Sequence, residues 1–155
     1  MNDLDEYDRK ILREMQQNGR LTIVQLAERI GLSTTPCQRR LKRLEDEGYI
    51  KGYAAIVDPV KLDMQINVFI SVKLERQAED FLERFQDRIA DLPEVMDSYL
   101  MSGGGRDYLL RVVTKDLITY ERFLVERLAR IPGVANIDTS FSLKHVLERT
   151  SLPIE

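Results

Sequence analysis

The sequence is poor in the side chains that usually carry catalysis or bind transition metals. Among its 155 residues it has one cysteine, Cys37, one histidine, His145, and no tryptophan. A single cysteine cannot form an internal disulfide, and no group of His, Cys and acidic residues has the spacing of a zinc or iron site. Covalent catalysis needs a nucleophile beside a general base, and no such pair is recognisable. We therefore predict a protein that is not an enzyme and that has no metal ion or other cofactor.

Long apolar segments are also missing. A helix needs roughly 20 mainly apolar residues to cross a bilayer, and no stretch of the chain approaches that length. Positions 1–10 are acidic and polar, unlike the start of a secretory signal. The composition is 43% hydrophobic and 32% charged, which is typical of a globular protein. These observations predict a cytoplasmic location and no association with membranes.

Excess positive charge is absent from the chain as a whole, whose formal net charge is −3. Positive side chains are nevertheless concentrated in one short segment, where Arg39, Arg40, Lys42 and Arg43 lie within five positions without an intervening acidic residue. A basic segment in an otherwise acidic protein is a candidate contact for nucleic acid. A solvated helix face without any partner would show the same pattern, so its place in the fold decides between the two interpretations.

Three helices are predicted in the N-terminal third. The first runs from about Asp5, its N-cap, to Gln17. The second opens at Thr22, which forms a capping box with Gln25, and ends at a glycine. The third begins after one short turn, and either Ser33 or Thr35 can be its N-cap. Two short helices joined by a tight turn that contains glycine form a helix-turn-helix unit.

The third helix has the features of a DNA-reading helix. Cys37, Leu41 and Leu44 recur at helical spacing and are predicted to face inward, so the basic residues face outward. The N-terminal residues of such a helix usually meet base edges in the major groove, whereas cations further along meet phosphates. The predicted DNA contacts are Ser33, Thr34, Thr35, Gln38, Arg39, Lys42 and Arg43, and the predicted partner is double-stranded DNA.

The rest of the chain contains a weak internal repeat with an offset of 39 residues. Each copy has a strand, a helix and a second strand, and the first strands are predicted at Ile66–Leu74 and Tyr108–Val113. Two such copies form a ferredoxin-like βαββαβ arrangement with both helices on one face of the sheet. The predicted class is therefore α+β, with a helix-turn-helix (winged-helix-like) domain at 1–53, a linker with a short strand at 54–64 and the ferredoxin-like domain at 65–155.

Apolar side chains alternate onto both faces of the predicted sheet. Phe69 points away from Ile70 and Val72, and Leu109 and Val113 point away from Leu110 and Val112. Helices cover one face, so the other face needs a different cover. A second copy of the chain meets this need, and we predict a homodimer through the helix-free face.

A glycine run lies between the two copies of the repeat. Gly103, Gly104 and Gly105 precede Arg106 and Asp107. Glycines expose backbone N–H groups that can hold a carboxylate, and an aspartate beside them can accept from an ammonium group, so the pair suits a free α-amino acid. An ordinary glycine-rich hairpin turn explains the same residues without any ligand.

Several segments resemble the leucine-responsive regulatory protein/AsnC family, the feast/famine regulators. The resemblance lies in the helix-turn-helix segments and in the glycine–aspartate loop, and it covers nearly the whole chain. It implies a C-terminal domain that regulates amino-acid metabolism, dimers that pair through their sheets, and octamers or other rings of dimers. It also implies a small amino-acid effector between dimers. The matching segments include 18–20, 32–37, 43–45, 48–50 and 104–110.

The resemblance further implies where the effector binds. Gly104 and Asp107 match the family's Gly-x-x-Asp motif, and Thr139 matches a polar pocket position. Many relatives have a hydroxyl residue directly before the motif glycine, whereas here Ser102-Gly103 precedes Gly104. Either Gly103 replaces that hydroxyl residue or the loop is one residue longer. The neighbours implied to contact the effector are Met101, Ser102, Gly103, Gly105 and Arg106. An architectural DNA-binding protein without an effector remains the alternative.

Overall fold

The computed structural model describes residues 4–155, which form two compact units. One unit contains residues 4–56 together with 146–155, and the other contains residues 57–145. The sequence predicts domains at 1–53 and 65–155, and positions 1–3 of the first lie outside the described residues. The structure differs in one main respect, because it places the C-terminal segment in the N-terminal unit.

Three helices form the N-terminal unit where their capping residues predict them. The side chains of Asp5 and Asp8 each accept a hydrogen bond from the other residue's backbone N–H, and Thr22 and Gln25 do the same. Ser33 is the N-cap of the third helix by its extended backbone, although its side chain makes no capping hydrogen bond. This decides between the two predicted caps. The helices are α1 (Glu6–Gln17), α2 (Ile23–Ile30) and α3 (Thr34–Asp46).

The core of this unit includes the residues of α3 that the sequence predicts to face inward. Cys37 and Leu44 are fully buried, and Leu41 is partly buried against the same cluster. Burial raises the pKa of the Cys37 thiol, because a thiolate would lose its hydration there. Cys37 therefore serves as a small apolar side chain that joins α3 to α1 and α2.

The C-terminal segment 146–155 is held against α1. The backbone N–H of Leu152 donates to Gln16 Oε1 (2.6 Å), and Gln16 Nε2 donates to the carbonyl of Leu152 (3.3 Å). Arg13 donates to the carbonyl of Ile154 (3.3 Å), and the Ile154 side chain packs against the apolar core. These contacts join residues that are far apart in sequence, which is why no local pattern predicts them.

The linker at 54–64 does not contain the predicted strand. A 3₁₀ turn at Val60–Leu62 is its one regular element within the described chain, and its apolar residues are exposed. A strand needs a neighbour that accepts and donates its backbone hydrogen bonds. Within residues 4–155 this segment pairs with no other strand, so the expectation of a short strand here is wrong for the single chain.

A four-stranded antiparallel sheet forms the second unit, in the order β2-β3-β1-β4. This is the predicted βαββαβ arrangement, with the first strand of each copy of the repeat in the centre of the sheet. The elements are β1 (Ile66–Leu74), α4 (Glu79–Ala90), β2 (Val95–Leu100), β3 (Tyr108–Thr114), α5 (Leu117–Arg122) and β4 (Val134–Phe141). The predicted fold class is confirmed.

The second helix of the repeat is less regular than the first. After α5 the chain continues in a π turn at Phe123–Arg127 and a 3₁₀ turn at Leu128–Arg130. Phe123 and Leu128 are both buried, yet they are five residues apart, which exceeds the step of three or four in an α-helix. The wider turn places both side chains in the core.

The two faces of the sheet differ in their cover. Val68, Ile70 and Val72 lie on the helix side and are fully buried with Phe85 of α4 and Phe123. The opposite side, which we call the open face, includes Asn67, Phe69, Ser71, Asp97, Tyr99, Leu109, Arg111, Val113, Asp138 and Ser140. Its apolar members are exposed or half-buried, as the alternation of the sequence predicts.

Candidate functional site

The outward side of α3 carries most of the residues predicted to contact DNA. Thr35, Gln38, Arg39 and Lys42 are all exposed. Their spacing of i, i+3, i+4 and i+7 places them in one row along the helix. Ser33 and Thr34 are exposed at its N-terminal end. This surface, which we call the reading face, therefore combines hydroxyl, amide and cationic groups.

Arg43 is placed differently from the sequence-based expectation. Its Nη2 atom lies 2.5 Å from Oδ2 of Asp8, and the side chain of Asp8 is only 1% exposed. The hydrogen bond to Asp8 raises the pKa of the Arg43 guanidinium. Arg40 is bound to Asp5 (2.6 Å) and Asp8 (2.9 Å) in the same cluster. The structure thus turns Arg43 toward α1, whereas the sequence places it with the phosphate contacts.

The loop between β2 and β3 has an unusual backbone. Gly103, Gly104 and Gly105 have φ angles of +86°, +75° and +72° in succession. This left-handed region is costly for residues with a side chain, at about 1–2 kcal/mol each, so the glycine run is a conformational requirement. All three glycines are exposed. Successive residues in such a conformation can present backbone N–H groups to an anion, as the predicted effector site requires.

Asp107, at the end of this loop, is buried and hydrogen-bonded to neighbouring segments. It is 4% exposed, and its Oδ2 atom accepts from the backbone N–H of Leu74 (2.7 Å). Its Oδ1 atom accepts from Nε2 of Gln77 (2.5 Å). Its own backbone N–H donates to Val72, and its carbonyl accepts from Met101. Asp107 therefore fixes the loop to the end of β1.

A cavity of about 430 Å³ lies beside this loop. Its lining combines cationic and amide groups, such as Lys73 and Gln77, with the apolar side chains of Leu82 and Leu100. Its volume is within the range of roughly 300–1,000 Å³ that is common for small-molecule sites. Of the predicted effector residues, the structure brings to it Met101, Ser102, Gly103, Gly105, Arg106 and Asp107.

Two predicted effector residues are not on the lining. Gly104 belongs to the loop without facing the cavity, and Thr139 shares a hydrogen bond with the hydroxyl of Tyr120 (2.6 Å) on the helix side of β4. The strand order separates β4 from the loop by β1, so Thr139 is not brought to it in this chain. The cavity is also lined by Lys73, Gln77, Leu82 and Leu100. No local sequence pattern indicates them, because they come from separate elements that only the tertiary fold brings together.

Arg106 is the other charged residue of the loop. Its Nη1 atom donates to Oγ of Ser71 (3.2 Å). Its Nε–H is buried and has no hydrogen-bond partner among residues 4–155. A buried donor without a partner is unfavourable by about 1–3 kcal/mol, so an acceptor at this point would stabilise the loop.

The described residues contain neither a metal-binding cluster nor a membrane-spanning helix. In the part of the chain that the structure describes, no three His, Cys, Asp or Glu side chains converge as a metal site would require. No helix within residues 4–155 combines the length and apolar character needed to cross a membrane.

Comparison with known proteins assigns both units to families. Residues 4–51 match the family model described as winged helix-turn-helix DNA-binding, and residues 67–152 match the Lrp/AsnC ligand binding domain. The chain belongs to the Lrp/AsnC family. This confirms the resemblance found in the sequence, and with it the assignment as a DNA-binding transcription regulator.

Two relatives of this Lrp/AsnC regulator are similar to it over 93% or more of their own length. The Bkd operon transcriptional regulator of Pseudomonas aeruginosa is 49% identical over 154 residues, which cover 99% of this chain and 100% of the relative. The leucine-responsive regulatory protein of Escherichia coli K12 is 40% identical over 153 residues, with 99% and 93% covered. The first is named as a transcriptional regulator, and the second as a regulatory protein that responds to leucine.

Two solved structures are similar to this chain over nearly its whole length. A transcriptional regulator from Neisseria meningitidis, crystallised as a complex with L-methionine, has a TM-score of 0.91 and 41% identity to this Lrp/AsnC chain. The match covers 97% of this chain and 96% of that one. An AsnC family transcriptional regulator from Agrobacterium tumefaciens has the same TM-score of 0.91 at 38% identity, with 97% of both chains covered.

Proposed function

We propose that this regulator binds specific DNA sites as a homodimer and that a free amino acid changes its assembly and its DNA affinity. The observation that carries the proposal is the reading face of α3, which is exposed in a unit that matches a DNA-binding family. Ser33, Thr34, Thr35, Gln38 and Arg39 lie where a recognition helix meets base edges. Gln and Arg suit adenine and guanine, and Lys42 suits a phosphate.

The dimer forms through the open face in this proposal. Phe69 and Tyr99 remain 39% and 55% exposed there, and a second sheet would remove their apolar surface from water. A dimer places two reading helices about one turn of DNA apart, roughly 34 Å. The family resemblance extends this to an assembly of dimers, such as an octamer.

The effector occupies the cavity beside the loop. Backbone N–H groups of the glycines hold its carboxylate, and Asp107 accepts from its ammonium group, because each carboxylate oxygen can accept more than one hydrogen bond. Leu82, Leu100 and Met101 offer apolar contact to its side chain. The L-methionine complex of the Neisseria relative supports an amino acid as the ligand class.

The proposal also includes that the protein is not an enzyme and that it acts in the cytoplasm. The relatives are named as transcription regulators, which supports a chain that acts by binding and not as an enzyme. Its target is DNA, which supports the cytoplasm as its place of action. The effector can shift DNA affinity only by the difference between its own affinities for the two assembly states.

Removal of the reading-face cations tests the DNA contact. We expect Arg39→Gln/Lys42→Gln to weaken binding to a selected duplex by at least about tenfold, because a bidentate Arg–guanine pair alone is worth about 1–3 kcal/mol. Arg84→Gln/Lys115→Gln removes the same charge from exposed positions outside the N-terminal unit and should leave affinity nearly unchanged. Fluorescence anisotropy measures both variants, and equal losses would contradict the proposed interface.

A thermal-shift screen with the twenty amino acids tests the effector. An amino acid at 100 times its dissociation constant stabilises the folded state by about 2.7 kcal/mol, which raises the melting temperature by several degrees. The carboxylic acid that lacks only the α-ammonium group is the matched control and should give a much smaller shift. If no amino acid raises the melting temperature, the architectural DNA-binding alternative is favoured.

A further inference from the structure

The cations of α3 fall into two groups, and the sequence separates Arg40 but not Arg43 from the predicted DNA contacts. Arg39 and Lys42 are exposed on the reading face and have no ion partner among residues 4–155. Arg40 and Arg43 lie on the side of the helix that faces α1. The basic segment is therefore divided along the helix, with one pair exposed on the reading face and the other pair, whose side chains are 26% and 39% exposed, bound to α1.

Asp8 is the residue that holds the second pair. Its Oδ1 atom accepts from Nη1 of Arg40 (2.9 Å), and its Oδ2 atom accepts from Nη2 of Arg43 (2.5 Å). The backbone N–H of Asp5 also donates to Oδ2 (3.1 Å), so the capping box of α1 fixes the carboxylate in place. Two residues of α3 separated by one helical turn are thus attached to one buried anion.

Arg40 has two further restraints. Asp5 accepts from its Nη1 atom (2.6 Å), and its guanidinium lies 5.7 Å from the ring centre of Tyr7, within cation–π range. The cluster of Asp5, Asp8, Arg40 and Arg43, which we call the clamp, contains two carboxylates and two guanidinium groups and is electrically neutral. Separation of a buried carboxylate from its partners is strongly unfavourable, so the clamp resists opening.

We infer that Asp8 is a positioning residue that determines DNA specificity, because it withholds Arg40 and Arg43 from phosphates and leaves Arg39 and Lys42 to meet DNA. This inference rests on the proposed DNA contact through the reading face. Phosphate contacts supply sequence-independent affinity, and each adds about 0.9 to the slope of log affinity against log salt. With two fewer cations on phosphates, each helix binds random DNA more weakly while its contacts to base edges remain, so the preference for the correct site rises.

The clamp also sets the orientation of the reading face. It attaches α3 to the first turns of α1 at Arg40 and again at Arg43, while Cys37 and Leu44 attach the same helix to the core. Rotation of α3 about its axis would break the three ion pairs that Arg40 and Arg43 form with α1 and its cap. The side chains that meet base edges are therefore presented at a fixed angle, which precise hydrogen bonding to bases needs.

Single glutamine variants in α3 test the inference. Binding is measured between 50 and 200 mM salt, on a random-sequence duplex and on a duplex that the unaltered protein selects from a random pool. We expect Lys42→Gln to make the salt slope shallower by about 0.9 for each phosphate that it no longer neutralises, and Arg43→Gln to leave the slope unchanged. A slope that falls equally in both variants would overturn the clamp.

Release of the clamp is the complementary test. Asp8→Asn removes the anion that binds Arg43 and one of the two that bind Arg40. Its salt slope should therefore be steeper, with affinity falling by a further factor of about 3 to 4 between 50 and 200 mM salt for each additional phosphate neutralised. Its preference for the selected duplex should fall. Glu6→Gln makes the same charge change on α1 and releases Lys10, a cation outside α3, and should keep the original slope. An Asp8→Asn slope equal to that of Glu6→Gln would also overturn the inference.

Two checks separate folding and interface failure from failure of the clamp. Circular dichroism and melting without DNA show whether Asp8→Asn folds, and Arg43→Gln carries the test if it does not, since Asp8 keeps Arg40 in that variant. If Lys42→Gln and Arg39→Gln leave the salt slope unchanged, the proposed reading face is itself wrong and the inference falls with it. An unchanged slope in Arg43→Gln alone supports the clamp.

Discussion

Replacement of Phe69 by aspartate is expected to convert the dimer into monomers and to weaken DNA binding by about 100- to 10,000-fold, which is the usual range when one of two linked binding events is removed. Phe69 lies in the centre of the open face, opposite Arg111 of β3 and Ser140 of β4. A carboxylate at this position would be buried between two sheets in place of an aromatic ring, and the neighbouring Arg111 is already bound to Asp97 (2.6 Å). Burial of such a charge is unfavourable by several kcal/mol.

Sedimentation velocity at micromolar concentration measures this effect, followed by DNA titration of the same samples. Ile118→Asp is the matched control, because Ile118 is 70% exposed on α5, on the covered side of the sheet. It introduces the same charge and should remain dimeric. A Phe69→Asp variant that sediments as a dimer would show that the open face is not the interface.

Replacement of Asp107 by alanine is expected to abolish the amino-acid response and to lower the free energy of unfolding of the second unit. The buried N–H of Leu74 would lose its acceptor, at about 1–3 kcal/mol, and the glycine loop would lose its attachment to β1. Urea denaturation measures the decrease in stability, and the thermal-shift screen measures the response. Both effects follow from one carboxylate that fixes the loop and faces the cavity.

Gln77→Ala separates the two roles of Asp107. It removes the hydrogen bond to Oδ1 while the bond from Leu74 to Oδ2 remains, so stability should change little. The effector response should persist with an altered affinity, because Gln77 lines the cavity. If Asp107→Ala is as stable as the unaltered protein and responds normally to amino acids, the cavity is not the effector site.

Local chemistry explains the parts of the fold that the sequence predicts well. The capping box of Thr22 and Gln25 involves residues three apart, and β1 is recognisable from its own alternation of side chains. The repeat then fixes the βαββαβ order without any long-range information. Each of these inferences needs only a short window of sequence, because hydrogen bonds and side-chain direction within one element are decided by near neighbours.

The features that the sequence analysis missed all depend on distant residues. The partner of Arg43 is Asp8, 35 positions away, and the partner of Leu152 is Gln16, 136 positions away. Lys73 and Gln77 enter the cavity only through the pairing of β1 with β3. A helical wheel places Arg43 away from the core of its own helix, but it cannot show that an acidic residue of α1 binds the guanidinium.

The three successive glycines give the loop a handedness opposite to that of ordinary protein chains. At Gly103 and Gly105 an added Cβ would meet nothing within 4 Å, so space does not forbid a side chain there. The positive φ angles are what make an L-residue unfavourable at these positions. A D-alanine introduced at either position by chemical synthesis favours this backbone and would restrict the unfolded state, whereas L-alanine would oppose the loop by about 1–2 kcal/mol.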